Sequence, residues 1–144
     1  MNGKIIIGAI ASLFIILIGI VIAYEVMNRI PESAFVRDWS EVTTVQDEGT
    51  YLVYIYQDQC PACQRIAQTV LEFYRESPQG INLYYLDTQY PNRNTSVLNN
   101  LPEHLVPSST PSMIIVRDGV WSELVAGETN VRNLLTSIRE GEFE

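Results

Sequence analysis

The only two cysteines of this 144-residue chain, Cys60 and Cys63, stand two residues apart, with Pro61 and Ala62 between them. Two thiols at that spacing can close a small redox-active disulfide, supply half of a metal site, or form an inert structural bridge. An apolar run from Tyr51 to Tyr56 precedes them, and a helical pattern from Gln64 to Glu76 follows. The sulfurs are therefore expected at a strand-to-helix junction. Cys60 falls at the helix N-cap and Pro61 at the first helical position, where a missing N–H costs nothing. Pro61 and Ala62 then form a helix N-terminus whose free N–H groups and partial positive charge favour a thiolate and lower the pKa of Cys60. The neighbouring charge of Asp58 works against this. Cys63 lies one turn further on, facing the same way. The expected roles are Cys60 as the exposed attacking thiol and Cys63 as the resolving thiol.

The other two readings have less support. Zinc wants four ligands, and beyond the two cysteines the chain offers one histidine, His104, in a segment without ligand spacing. No metal site is expected. A structural bridge closing so small a loop would stabilise the fold little. Trp39 and Trp121 are expected in packing roles, and Tyr51, Tyr54, Tyr56, Tyr84 and Tyr85 read as ordinary sheet packing. Asn94, Thr95 and Ser96 match a glycosylation sequon, a short pattern that chance supplies.

The elements that must position the thiols follow from patterning. Formal net charge is −8, the only lysine is Lys4, and the arginines are scattered singly. Without a basic patch, nucleic acid is not an expected partner. From Ile5 to Ala23 the chain carries no charge. A helix of that length roughly spans the ~30 Å hydrocarbon core, and Tyr24 lies where an interfacial aromatic sits. The run is longer than the apolar core of a cleavable signal peptide, although Val21 to Ala23 offers a weak cleavage site. Residues 1–24 are thus expected to be a transmembrane signal anchor, 25–33 a juxtamembrane linker broken at Pro31, and 34–144 one folded domain. Positive charge alone does not orient the anchor. The short N-terminal tail with Lys4 and a cysteine pair suited to an oxidising compartment favour a single-pass cell-membrane protein, its N-terminus cytoplasmic and its domain extracytoplasmic.

Within the domain, the spacing of Phe35, Trp39, Val42 and Val45 predicts a helix over Ala34 to Glu48, with a short strand as the alternative because Val42 to Val45 is a β-branched run. Strands are predicted at Tyr51–Gln57 and Ile81–Asp87. The helix after Cys63 is expected to bury Ile66, Ala67, Val70, Leu71 and Tyr74 and to stop at Ser77–Gly80. A short helix capped by Thr95 or Ser96 runs to Leu101. Asp118 and Gly119 join strands Ser112–Arg117 and Val120–Ala126 into a hairpin. A last helix, capped by Thr129 or Asn130, presents Val131, Leu134, Leu135 and Ile138. This order gives an α/β domain with one mixed sheet and helices on both faces.

Three features together resemble the thioredoxin-like superfamily over about Phe35 to Gly141: the apolar strand leading into Cys60-Pro61-Ala62-Cys63, the Thr110-Pro111 pair directly before a strand, and the Asp118-Gly119 hairpin with Gly127 and a final helix. The resemblance implies a thioredoxin-like fold after the anchor. It also implies a cis proline at Pro111 against the cysteine pair, and a Thr110 backbone that pairs with substrate. Spacing alone identifies Pro111 only as a proline at a strand start. This sequence departs from the reductase pattern: Gln59 replaces the tryptophan before the first cysteine, and Tyr54 stands where a buried aspartate helps deprotonate the resolving thiol. Ala62 replaces the histidine of strongly oxidising DsbA-type sites. Within the superfamily the chain is most similar to small membrane-anchored Gram-positive proteins, including the bacteriocin-transport accessory type.

The function expected from these readings is thiol-disulfide exchange with cysteine-containing protein substrates and a redox partner protein, by a monomer. No cofactor is implied, because the Cys60–Cys63 disulfide itself holds the two electrons. The competing expectation is a non-catalytic thioredoxin-fold binding module, tethered beside an export machine.

Overall fold

The computed structural model describes residues 2–89 and 95–143; in the N-terminal helix it describes the side chains of 8, 10 and 12–26. Asn94 of the sequon and Pro91 lie outside the described residues. The chain divides into two compact units, Met1–Pro31 and Glu32–Glu144.

The first unit is one helix, α1 (Asn2–Asn28), of 27 residues, about 40 Å at the helical rise. The helix runs past residue 24 into the segment expected to be linker. Its described apolar side chains stand exposed all round, Leu13, Phe14, Ile15 and Ile18 among them. Among the described residues, no helix is long and apolar enough to cross a membrane, so the transmembrane span expected over 1–24 is not found.

In the second unit, strand β1 (Thr50–Tyr56), helix α2 (Pro61–Glu76), strand β2 (Asn82–Asp87), the hairpin of β3 (Ser112–Arg117) and β4 (Val120–Ala126), and helix α3 (Glu128–Glu140) follow in order. Among the described residues the sheet has four strands in the order β2-β1-β3-β4. β1 runs parallel to β2 and antiparallel to β3, and β3 pairs antiparallel with β4. Five consecutive residues of β1, Tyr51 to Ile55, are buried. That is the consequence of a central strand covered on both faces. Alternation sends Tyr51, Val53 and Ile55 into a core with Val36, Trp39, Val42, Leu86, Ile114 and Trp121. Leu52 and Tyr54 take the opposite face, where Tyr54 meets Cys63 of α2.

The helix predicted over Ala34–Glu48 does not form. The segment holds short 3-10 turns at Glu32–Ala34 and Trp39–Glu41. Phe35 bridges Tyr85, and the Val36 N–H donates to the Tyr85 carbonyl at 2.8 Å, so the chain enters as a strand-like strap. Asp38 then caps the second turn by accepting from the Ser40 N–H at 2.8 Å. The β-branched run Val42 to Val45 disfavours helix, and the Tyr51 hydroxyl, donating to the Val42 carbonyl at 2.8 Å, pins the strap to the core. Trp39 and Trp121, each 6% exposed, stack with ring centroids 6.2 Å apart. Both are core residues.

Smaller differences have local causes. The buried stripe of α2 is Cys63, Ile66, Val70 and Phe73; Ala67 is exposed, and Leu71 and Tyr74 are half-buried. The stripe begins at the cysteine and rotates the helix relative to expectation. Ser77 ends α2 in the left-handed conformation, its N–H bonded to the Phe73 carbonyl. The predicted short helix is a 3-10 turn, Ser96–Asn100, without a side-chain cap. α3 starts earlier than predicted, with Gly127 at its N-cap in place of Thr129 or Asn130. The φ of +91° at Gly127 lets the chain turn from β4 directly into the helix. Asp118 and Gly119 both have positive φ, the two-residue geometry that suits a twisted hairpin.

Replacing Tyr51 by Phe leaves the Val42 carbonyl without its donor inside the core. The Tyr51→Phe variant should lose about 1–2 kcal/mol of stability in urea unfolding; an unchanged midpoint would show that the strap is held by packing alone.

Candidate active site

Cys60 is the N-cap of α2 and Pro61 its first residue. Cys60 keeps an extended backbone (φ −80°, ψ 113°), which aims its sulfur back over the helix end. There it accepts a hydrogen bond from the Cys63 N–H at 3.2 Å. The Cys60 N–H donates to the Gln57 carbonyl at 3.1 Å, closing the turn between β1 and α2. Cys60 is partly exposed, and Cys63 is 4% exposed; both are free thiols.

The second half of the site arrives from fifty residues away. The Thr110–Pro111 peptide bond is cis. The Cys60 thiol donates to the Thr110 carbonyl at 3.5 Å, which sets Thr110 and Pro111 against the cysteine pair. This loop is itself fixed: the Pro111 carbonyl accepts from the Gly127 N–H at 2.8 Å, and the Ser112 hydroxyl donates to the Ser109 carbonyl at 2.7 Å. The start of α3 thus holds the loop that faces the start of α2. Across the two helices, Arg65 pairs with Glu128 at 2.7 Å.

The two sulfurs are driven apart in acidity. Burial alone pushes the Cys60 thiol up. Hydrogen bonds to its thiolate from the Cys63 side chain, from Thr110, and from the backbone N–H groups of Cys63 and Ala62 outweigh it, so the pKa lies below that of an ordinary thiol. Asp58 is not among the groups that set it. Burial pushes Cys63 up, and the hydrogen bond it shares with Cys60 raises it further. One sulfur is prepared to be a thiolate and the other to remain a thiol, the division of labour that attack and resolution require.

The sequence-predicted residues Cys60, Pro61, Ala62, Cys63, Thr110 and Pro111 therefore come together. His104 does not: it lies exposed in a 3-10 turn, Glu103–Leu105. Among the described residues, no group of three or more His, Cys, Asp or Glu side chains is placed to hold a metal ion. Two features went unseen in the sequence. A shallow groove beside Thr110 is lined by Trp39, Ile55, Gln57, Leu98 and Pro107; its walls come from distant segments, and no local pattern announces it. The second is the donor that Tyr54, expected only as packing and as the replacement of a buried aspartate, turns toward Cys63. The period of β1 and its distance from Cys60 carried that signal.

No protein-family model matches the chain, and no curated protein matches it. Solved structures do. Thioredoxin from Trypanosoma brucei brucei is 19% identical, with a TM-score of 0.54 over 78% of this chain and 95% of that one. Thioredoxin f2 from Chlamydomonas reinhardtii is 13% identical, with a TM-score of 0.54 over 76% and 97%. A complex of ferredoxin:thioredoxin reductase with thioredoxin f2 matches at 19% identity and a TM-score of 0.54, over 76% and 94%.

With Cys60 below and Cys63 above the usual thiol range, alkylation of the reduced protein should separate them. Cys60 should react faster, with a pH midpoint below that of free cysteine, and Cys63 slower, with a midpoint above it. The sign for stability follows: the Cys60 thiolate stabilises the reduced fold above the ordinary thiol pKa, and this is lost as pH falls through the lowered one. Equal rates and midpoints, read by mass spectrometry of trapped peptides, would contradict the site's electrostatics. At these identities the likeness establishes one thing, a thioredoxin-like α/β fold over about three quarters of the chain.

Proposed function

We propose that this protein is a thiol-disulfide oxidoreductase that exchanges disulfides with cysteine-containing proteins, tethered to a membrane by its N-terminal helix with the folded domain outside the cytoplasm. The observation that carries the redox reading is the pairing of a partly exposed, acidified Cys60 with a buried Cys63 whose N–H bonds the Cys60 sulfur. In the reducing direction the Cys60 thiolate attacks a substrate disulfide. A Cys60–substrate disulfide forms and one substrate thiolate leaves. Cys63 then attacks the Cys60 sulfur, the mixed disulfide breaks, and the second substrate sulfur leaves reduced, taking a proton. The product is the Cys60–Cys63 disulfide. Oxidation of substrate is the same sequence reversed, and the direction follows from the potential of the couple against its partner.

The Thr110 backbone, held against Cys60 by the loop before β3, is the edge to which an extended substrate segment pairs, and the groove beside it receives the flanking side chains. One matched structure is a thioredoxin in complex with its reductase, which supports a redox partner protein here. The charge-free run Ile5–Ala23, its helical backbone and its exposed apolar side chains support the tether. A redox-active pair with a partly exposed Cys60 suits an oxidising compartment, and the small anchored Gram-positive proteins remain the type that this arrangement resembles.

The test is trapping in membranes carrying the full chain. Cys63→Ser should accumulate mixed disulfides with protein thiols that pellet with the membranes, whereas Cys60→Ser should trap none and lose activity on a model disulfide protein. If both variants retain the full activity of the unaltered chain, the cysteines are vestigial and the protein is a non-catalytic binding module.

A further inference from the structure

Tyr54 occupies the middle of the central strand and is 3% exposed; its hydroxyl completes no well-formed hydrogen bond among the described residues and meets the Cys63 thiol. A phenylalanine would fill the same space without burying an unpaired polar group. The hydroxyl is aimed at chemistry: after burial, the interaction that bears on it most is with Cys63, followed by Cys60. The groups around it are few. On its own strand Tyr56 stacks at 5.6 Å, and from β2 Tyr85 meets it edge-on at 6.0 Å. From α2 come Cys60 and Cys63, with Tyr74 packed on the far side of Tyr85, which also feels Arg75. Among the described residues, Cys63, Cys60 and Tyr85 are the groups that act on Tyr54 most.

We propose that Tyr54 is a positioning residue for the second step of exchange: its phenol donates a hydrogen bond to the Cys63 sulfur as that sulfur becomes a thiolate and attacks the mixed disulfide. The inference rests on the exchange reading given above. Burial raises the phenol's pKa well beyond its ordinary value, so it stays protonated. It cannot be the base that takes the Cys63 proton; it can only donate. In the step itself, the Cys63 S–H bond breaks and the Cys63–Cys60 bond forms. The bond from Cys60 to the substrate sulfur breaks, and that sulfur leaves with the electron pair and takes up a proton. Cys63 and Cys60 end oxidised, the substrate sulfur reduced. An unpaired buried donor beside a buried thiol lowers the cost of the transient thiolate without placing a permanent charge in the core.

The experiment loads Cys60 of the full chain with thionitrobenzoate and follows the coloured anion released when Cys63 attacks, as a function of pH. Tyr54→Phe should slow release by about tenfold near neutral pH and move its midpoint to higher pH. The rate of loading at Cys60 should not change. The neighbouring Tyr85→Phe, which removes another unpaired buried phenol, should leave release unaltered. Identical rates and pH profiles for Tyr54→Phe and the unaltered chain would overturn the inference, as would an equal effect from Tyr85→Phe or a large fall in the unfolding midpoint of Tyr54→Phe. An unaltered chain that loads but never releases the anion would overturn the exchange reading itself, and this inference with it.

Discussion

The hydrogen bond from the Cys63 N–H to the Cys60 sulfur, 3.2 Å long, is the contact on which the rest of the site depends. It makes a side chain that is usually a weak acceptor serve as a helix cap. The cap works best when the sulfur is charged, because a helix N-terminus presents several unpaired donors and a positive end. Helix formation and thiolate formation are therefore coupled at one atom. Pro61 adds to this by fixing the first helical residue at no cost in hydrogen bonds.

The sheet does the remaining positioning. β1 delivers Cys60 to the helix start because it is buried on both faces and has no freedom to shift. β3 enters the sheet directly from Pro111, so its pairing with β1, Ile55 opposite Ser112, fixes where Thr110 meets Cys60. The two halves of the site are far apart in sequence but are neighbours across one strand pair.

That relation explains how much was legible beforehand. The Cys60–Pro61 cap, the α2 terminator at Ser77 and the Asp118–Gly119 hairpin are local signals, and each appears where its residues predict. The conjunction of Thr110 and Pro111 with the cysteines is non-local; only the resemblance to a known superfamily brought them together. The helix predicted over Ala34–Glu48 failed because the apolar spacing of Phe35, Trp39 and Val42 serves equally well for a strap whose turns drop Trp39 and Val42 into the core while Phe35 packs half-buried on Tyr85. Pairing with Tyr85 and the Tyr51 hydrogen bond decided between the two, and neither is visible in the segment itself. Tyr54 was read twice, as sheet packing and as the residue replacing a buried aspartate. Both readings are partial: it packs, and it also turns a lone donor toward Cys63.

Cys60 and Cys63 behave as one two-electron couple if they exchange disulfides as proposed. Equilibrating the full chain across glutathione redox buffers, and counting free thiols after acid quench, tests it most directly. A single transition between the dithiol and an intramolecular disulfide is expected, with both thiols lost together and glutathione absent from the oxidised product. Cysteines that remain free at every ratio, or that stop at stable glutathione adducts on Cys60, would contradict it.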